Sequence, residues 1–153
     1  METPSPSALR VPAPVLEEVR GYAASAYPEE CCGAMLGRDG NGTGAERRVV
    51  RVVPVRNRWA GRGGRRFLIG AADVWALGAR AEDEGLALVG FYHSHPGAPP
   101  EPSALDREHA WPWYSYLIVS VRAGRSGEAR SWRLADDRSA FLPEHLCADP
   151  EGT

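Results

Sequence analysis

Apolar positions recur with two different periods along this chain, and those periods lay out its elements. Val15, Leu16, Val19, Tyr22 and Ala23 repeat at helical spacing, which predicts a first helix from Pro14 to Tyr27, ended by Pro28. Cys32 to Gly37 is a short apolar run and Arg47 to Val55 a β-branched one. The turn signals Asp39-Gly40-Asn41-Gly42 between them predict a hairpin. Asn57 to Arg66 reads as a Gly/Arg-rich loop, Phe67-Leu68-Ile69 as a brief strand, and Ala71 to Glu84 as a second helix with Val74, Trp75 and Leu77 facing inward. Leu86 to Tyr92 is an unbroken apolar run, as expected of a buried strand. A short helix follows from Ser103 to His109, then a closing hairpin of Tyr116 to Arg122 and Ala129 to Leu134 around Gly124 and Gly127. Residues 1–13, rich in Pro, Ser and Ala, read as a loose tail, and residues 137–153 as an irregular one. One domain over residues 14–136 remains, with short strands mixed among a few helices. That pattern predicts an α/β fold built on a mixed sheet.

Composition narrows the partners little but the compartment more. A chain of 153 residues that is 43% hydrophobic is long enough for one real core. The net charge of −2 does not favour nucleic acid. All 18 basic residues are arginine, so no lysine is open to modification. There is no apolar run of about 18 residues, so no membrane span is expected, and Met1 to Pro6 do not resemble a secretory signal. Three cysteines, two of them adjacent (Cys31 and Cys32), do not make a disulfide framework. They point to a reducing cytoplasm.

The candidate chemistry sits at the end of the buried strand. His93-Ser94-His95-Pro96 places two histidines at i and i+2, so both point to one face while Ser94 points to the other. Pro96 stops the strand, and a Pro-rich turn leads to Ser103 and Asp106, which share one face of the short helix. Two imidazoles and a carboxylate are three N/O ligands, the set of a catalytic zinc site that leaves a fourth position for water. Ser103-x-x-Asp106 is also a capping-box pattern at a helix start, and the spacing alone leaves both readings open. A water nucleophile also needs a proton acceptor. Glu101 lies between prolines on a turn, where solvent reaches it. Glu29 and Glu30 directly precede a buried strand, and alternation lets only one of them enter the interior.

Tyr27-Pro28-Glu29-Glu30-Cys31-Cys32-Gly33, His93-Ser94-His95-Pro96 and Ser103-Ala104-Leu105-Asp106 together resemble the JAMM (MPN+, Mov34/PAD-1-like) metallopeptidases, in particular the small single-domain prokaryotic members. The order of these pieces agrees, as do the seven residues between the second histidine and the serine. Pro54-Val55-Arg56-Asn57 resembles the segment before the family's middle helix, and the likeness spans roughly residues 15 to 135. The resemblance implies a mixed β-sheet flanked by helices, similar to cytidine deaminases. It implies one zinc per chain, with His93, His95 and Asp106 as ligands, Ser103 as the oxyanion-stabilising serine and Glu30 as the general base, Glu29 being the alternative. It further implies hydrolysis of a peptide or isopeptide bond at the Gly-ending tail of a ubiquitin-like or sulfur-carrier (β-grasp) protein. The alternative from another class is a binding module that recognises such a protein without cutting it, which has no need of the full Glu/His/His/Ser/Asp set.

Other residues read more plainly. His109 and His145 are expected to be ordinary histidines, at least one of Cys31 and Cys32 a small core residue, and Ser94 a hydrogen-bonding support. Trp111, Trp113 and Tyr114 are core aromatics or the wall of a substrate groove. The eight arginines from Arg47 to Arg66 make a solvated basic face or a docking surface for an acidic partner. The deaminase pattern His-x-Glu with Pro-Cys-x-x-Cys is absent.

Overall fold

The computed structural model describes residues 7–57 and 69–150. Its elements run β1 (Ala8–Pro12), α1 (Ala13–Ala26), β2 (Cys32–Asp39), β3 (Glu46–Val55), α2 (Ala71–Asp83), β4 (Ala87–Pro96), α3 (Ala104–His109), β5 (Ser115–Arg122), β6 (Arg125–Leu134) and β7 (Phe141–Asp149). The sheet is mixed: β1 pairs in parallel with β3 and β7, β4 in parallel with β5, and the other neighbours are antiparallel. It closes into a barrel in the order β1-β3-β2-β4-β5-β6-β7. The expected α/β class with a mixed sheet and flanking helices is therefore what the chain adopts.

Alternation along the strands divides the core in two. Met35, Val52, Val89, Tyr92 and Leu117 pack with Leu16, Val19 and Ala23 of α1. Their strand neighbours Ala34, Val53, Leu88, Phe91 and Tyr116 pack with Leu77 and Ala81 of α2. Burial on both faces is why β4 reads as a continuous apolar run rather than an alternating one. It also holds the end of β4 rigid, because β2 and β5 pair with it through His93, and β5 on to Pro96. Gly33 lies opposite Tyr92, and a Cβ there would sit 2.2 Å from the tyrosine ring, so the close approach of strand to ring requires glycine. Among the described residues, no helix is long and apolar enough to cross a membrane.

Several expectations are corrected. Residues 8–12 are not a loose tail. Leu9 and Val11 are fully buried, and β1 is hydrogen-bonded on both sides. The C-terminal segment is not irregular, since residues 141–149 form β7, which closes the barrel against β1. β1 finds both its partners far away in sequence, and β7, although it pairs with the neighbouring β6, buries only Glu144 and carries Pro143, so no local period marks it. Trp75 is 83% exposed rather than inward, because the buried positions Leu77 and Ala81 fix the inner face and Trp75 falls off it. Arg47 is not solvated: it is buried, ion-paired with Asp39 at 3.7 Å and set 4.0 Å over the Trp113 ring. Arg51 pairs with Glu84 at 2.6 Å. Phe67 and Leu68 and the arginines from Arg58 to Arg66 lie outside the described residues.

Candidate metal centre

β4 runs through His93 and His95, and both rings turn to the same side, as the period of a strand requires. The Pro-rich turn then brings α3 back over the strand end. Its carbonyls are fixed one after another: Ser120 Oγ donates to Ala98 O at 2.8 Å, His95 Nδ1 meets Pro99 O at 2.9 Å, and Trp132 Nε1 donates to Pro100 O at 3.0 Å. Gly97 turns the chain with φ 70, the left-handed region that favours glycine. Ser103 caps α3: its Oγ accepts from Asp106 N at 3.0 Å, and its own N–H donates to Asp106 Oδ2 at 2.8 Å. The capping reading is therefore correct, and it is compatible with the other one. The cap uses a lone pair of the serine oxygen and leaves the hydroxyl hydrogen to donate elsewhere.

Three ligand atoms converge. His93 Nε2 and His95 Nε2 are 3.1 Å apart, and Asp106 Oδ2 is 3.3 Å from the first and 3.0 Å from the second. Three donors bound to one zinc in a tetrahedron, each about 2.0–2.1 Å from it, stand roughly 3.3 Å from one another. The tautomer agrees with such a role. Pro99 O can only accept, so His95 Nδ1 donates to it, which in the neutral ring leaves Nε2 as the atom that would face a metal. These donors fit a divalent metal held by His93, His95 and Asp106.

The electrostatics of the three groups differ. Burial lowers the pKa of His93, which favours the neutral, ligating imidazole. His95 is raised: burial opposes its charge, but the hydrogen bond to Asp106 and that carboxylate's charge outweigh it. For Asp106, burial pushes upward, yet the adjacent imidazoles and the Ser103 N–H hold it well below the ordinary carboxylate range.

Glu30 completes the cluster. Its carboxylate and the two histidines offer atoms that all lie within 4.8 Å of one another, with Oε1 at 4.0 Å from His95 Nε2. Asp106 is the nearer carboxylate, which leaves Glu30 beside the ligand set rather than in it. Burial pushes the Glu30 carboxyl up to about 8; the charge on His95 lowers it and that on Asp106 raises it. Glu29, one residue earlier, is exposed. Glu101 is exposed too, 3.8 Å from Arg130. Both cysteines are held as thiols by burial, Cys32 pushed up to about 12, so neither serves as a nucleophile.

Two residues position Glu30: Ser94, in the supporting role expected of it, and Asn57, for which sequence reasoning foresaw no such role. Ser94, turned away from the histidines, accepts from Cys31 N at 2.9 Å through its Oγ, while its own N–H donates to Cys31 O at 3.2 Å. Asn57 Nδ2 donates to Glu30 O at 3.0 Å. These contacts span 63 and 27 residues of sequence and leave no local trace. An apolar pocket walled by Phe91, Trp111, Tyr116, Ile118 and Phe141 opens beside His93 and Asp106, with His109 on its rim. An open groove between Trp132 and Phe141 runs past Ser103.

Residues 12–135 match the family described as prokaryotic homologs of the JAB domain. The chain belongs to this family. It is 36% identical over 107 residues to a desampylase of Haloferax volcanii, covering 69% of this chain and 73% of that one. It is also 36% identical over 118 residues to a Thermus thermophilus protein named "Probable TtuB-protein conjugate cleaving protease", covering 75% and 74%. A solution structure of a Salinibacter ruber protein superposes with a TM-score of 0.70 at 39% identity, over 91% of this chain and 90% of that one. Membership in the JAB/MPN group thus agrees with the resemblance seen in the sequence.

Proposed function

We propose that this protein is a zinc-dependent peptidase or isopeptidase that cuts after the C-terminal glycine of a ubiquitin-like or sulfur-carrier protein. The observation that carries the reading is the convergence of His93 Nε2, His95 Nε2 and Asp106 Oδ2 beside a buried glutamate. The names of the two relatives, a desampylase and a conjugate-cleaving protease, support the substrate class. His93, His95 and Asp106 hold the metal. When bound, zinc supplies a Lewis acid that polarises a carbonyl and brings the pKa of water toward neutrality.

The chain's own groups supply the rest. Glu30 takes the proton of the attacking water and returns it to the leaving amine. Burial disfavours the charged carboxylate of Glu30, which makes it a readier acceptor of the water proton than an exposed glutamate. The Ser103 hydroxyl hydrogen, left over from the cap, donates to the oxygen on which charge develops. Ser94 and Asn57 keep the Glu30 backbone in place on either side. The three free cysteines suit a reducing cytoplasm.

The test is a carrier protein joined through its C-terminal glycine to a lysine-containing peptide, with the products weighed by mass spectrometry. Release of the carrier with an intact glycine terminus, stopped by a chelator and restored by zinc, is the expected result. Binding of the carrier without cleavage, by protein that holds zinc, would favour the binding-module alternative and overturn this one.

A further inference from the structure

α3, which carries Asp106, is an unusual place for a metal ligand. It is six residues long and none of them is buried, so neither its length nor its packing fixes it in place. Beyond the helix, Ala110 is packed in the core and Trp111 N donates to the Tyr116 hydroxyl; the helix itself is held at its two ends. The first is the Ser103 cap. The second is Arg138, in the turn between β6 and β7. There the guanidinium donates Nη1 to Ala110 O at 3.0 Å, and Nη2 to Glu108 O at 3.3 Å and Arg107 O at 3.4 Å. These are carbonyls that a helix end leaves without partners, and a cation there also meets the negative end of the helix dipole. The clasp is reciprocal, because Arg107 Nη1 donates to Ser139 O at 3.0 Å. The turn itself is closed by Arg138 N to Ala135 O and Ala135 N to Ala140 O, both at 2.8 Å.

Arg138 does this at φ 63, a left-handed conformation that glycine and asparagine take readily and arginine does not. A long cationic side chain kept where the backbone favours glycine points to a use for that side chain. Within α3 no residue is buried, and the core reaches this end only at Ala110, just past the helix. The ligand set has a use for it: a metal site requires its donors within about half an ångström of their productive places.

We propose that Arg138 is a positioning residue for the metal centre, holding α3 so that Asp106 Oδ2 stays in register with His93 and His95. The inference rests on the metal-centre reading above. Arg138→Gly and Arg138→Asn both remove the guanidinium while suiting the backbone. Two quantities are measured on each: zinc affinity, by competition with a chromophoric chelator, and the thermal midpoint of the metal-free protein. The expected result is zinc binding weakened roughly ten- to a hundred-fold, as for other groups that orient metal ligands, with a metal-free midpoint equal to or above wild type. Affinity and stability thus part company, which a merely structural role would not produce. Affinity within twofold of wild type in both variants would overturn the inference, as would a metal-free midpoint that falls in both. A wild type that binds no zinc would overturn the metal-centre reading itself and this inference with it.

Discussion

Glu30 is the residue whose environment is most at odds with its chemistry. It is 6% exposed, and burial moves its carboxyl from an ordinary value of 4.5 to about 8. In the metal-free protein the folded state therefore binds more protons at this group than the unfolded chain does between pH 4.5 and 8. Stability falls as pH rises through that window and levels off above it. Glu30→Gln removes the titrating group, so its metal-free stability should be the flatter function of pH, with the variant gaining on wild type from pH 4.5 to 8. Urea denaturation at several pH values checks this, and parallel profiles would contradict it. The sequence revealed the double acid and, through alternation, that only one of the pair enters the interior. It could not reveal the hydrogen bonds from Asn57 and to Ser94 that fix the backbone there, because both partners come from distant strand ends.

At the scale of elements, the site depends on β4 being immobile up to its last residue. Two buried faces and two hydrogen-bonded neighbours achieve this, and the apolar run followed by His-x-His-Pro made most of it legible in advance. The contact between Gly33 and Tyr92 was not legible, since a glycine within a strand has many causes. Gly33→Ala would push a methyl into the Tyr92 ring, next to His93 and one pair away from the Cys32–His93 register. The expected cost is about 1–3 kcal/mol, as for overpacking elsewhere in cores, with weaker zinc binding as β2 and β4 separate. An unchanged melting temperature would show that the strands tolerate the methyl and that the packing is looser than described. The short helix α3 was legible from its Ser-x-x-Asp start, whereas its far-end anchor, Arg138, lies in a stretch that reads as irregular.

For the whole molecule, closure of the barrel is the feature sequence reasoning missed, and it falls on β1 and β7 together. β7 also brings Glu144 inside, where it accepts from Ser131 Oγ at 2.7 Å and pairs with Arg133 at 2.6 Å. A glutamate on a short Pro-containing segment gives no sign of burial until its partners on β6 are known. Glu144→Ala leaves the Arg133 charge largely buried and without this partner, so a loss of about 3–5 kcal/mol is expected, read by thermal or chemical denaturation. A loss below about 1 kcal/mol, the range of an exposed pair, would contradict the burial of this pair between β6 and β7. β7 also furnishes Phe141, which walls both the pocket beside His93 and the groove beside Ser103, so the same strand that completes the barrel shapes the surroundings of the site.

The measurement that bears most directly on the central claim is elemental analysis of zinc in three purified proteins: wild type, His95→Ala and Glu30→Gln. His95 supplies a ligand atom, whereas Glu30 stands beside the ligand set. About one zinc per chain in wild type and Glu30→Gln, with loss in His95→Ala, is the result predicted for a three-ligand centre. Zinc absent from wild type after reconstitution, or retained when His95 is removed, would contradict the account.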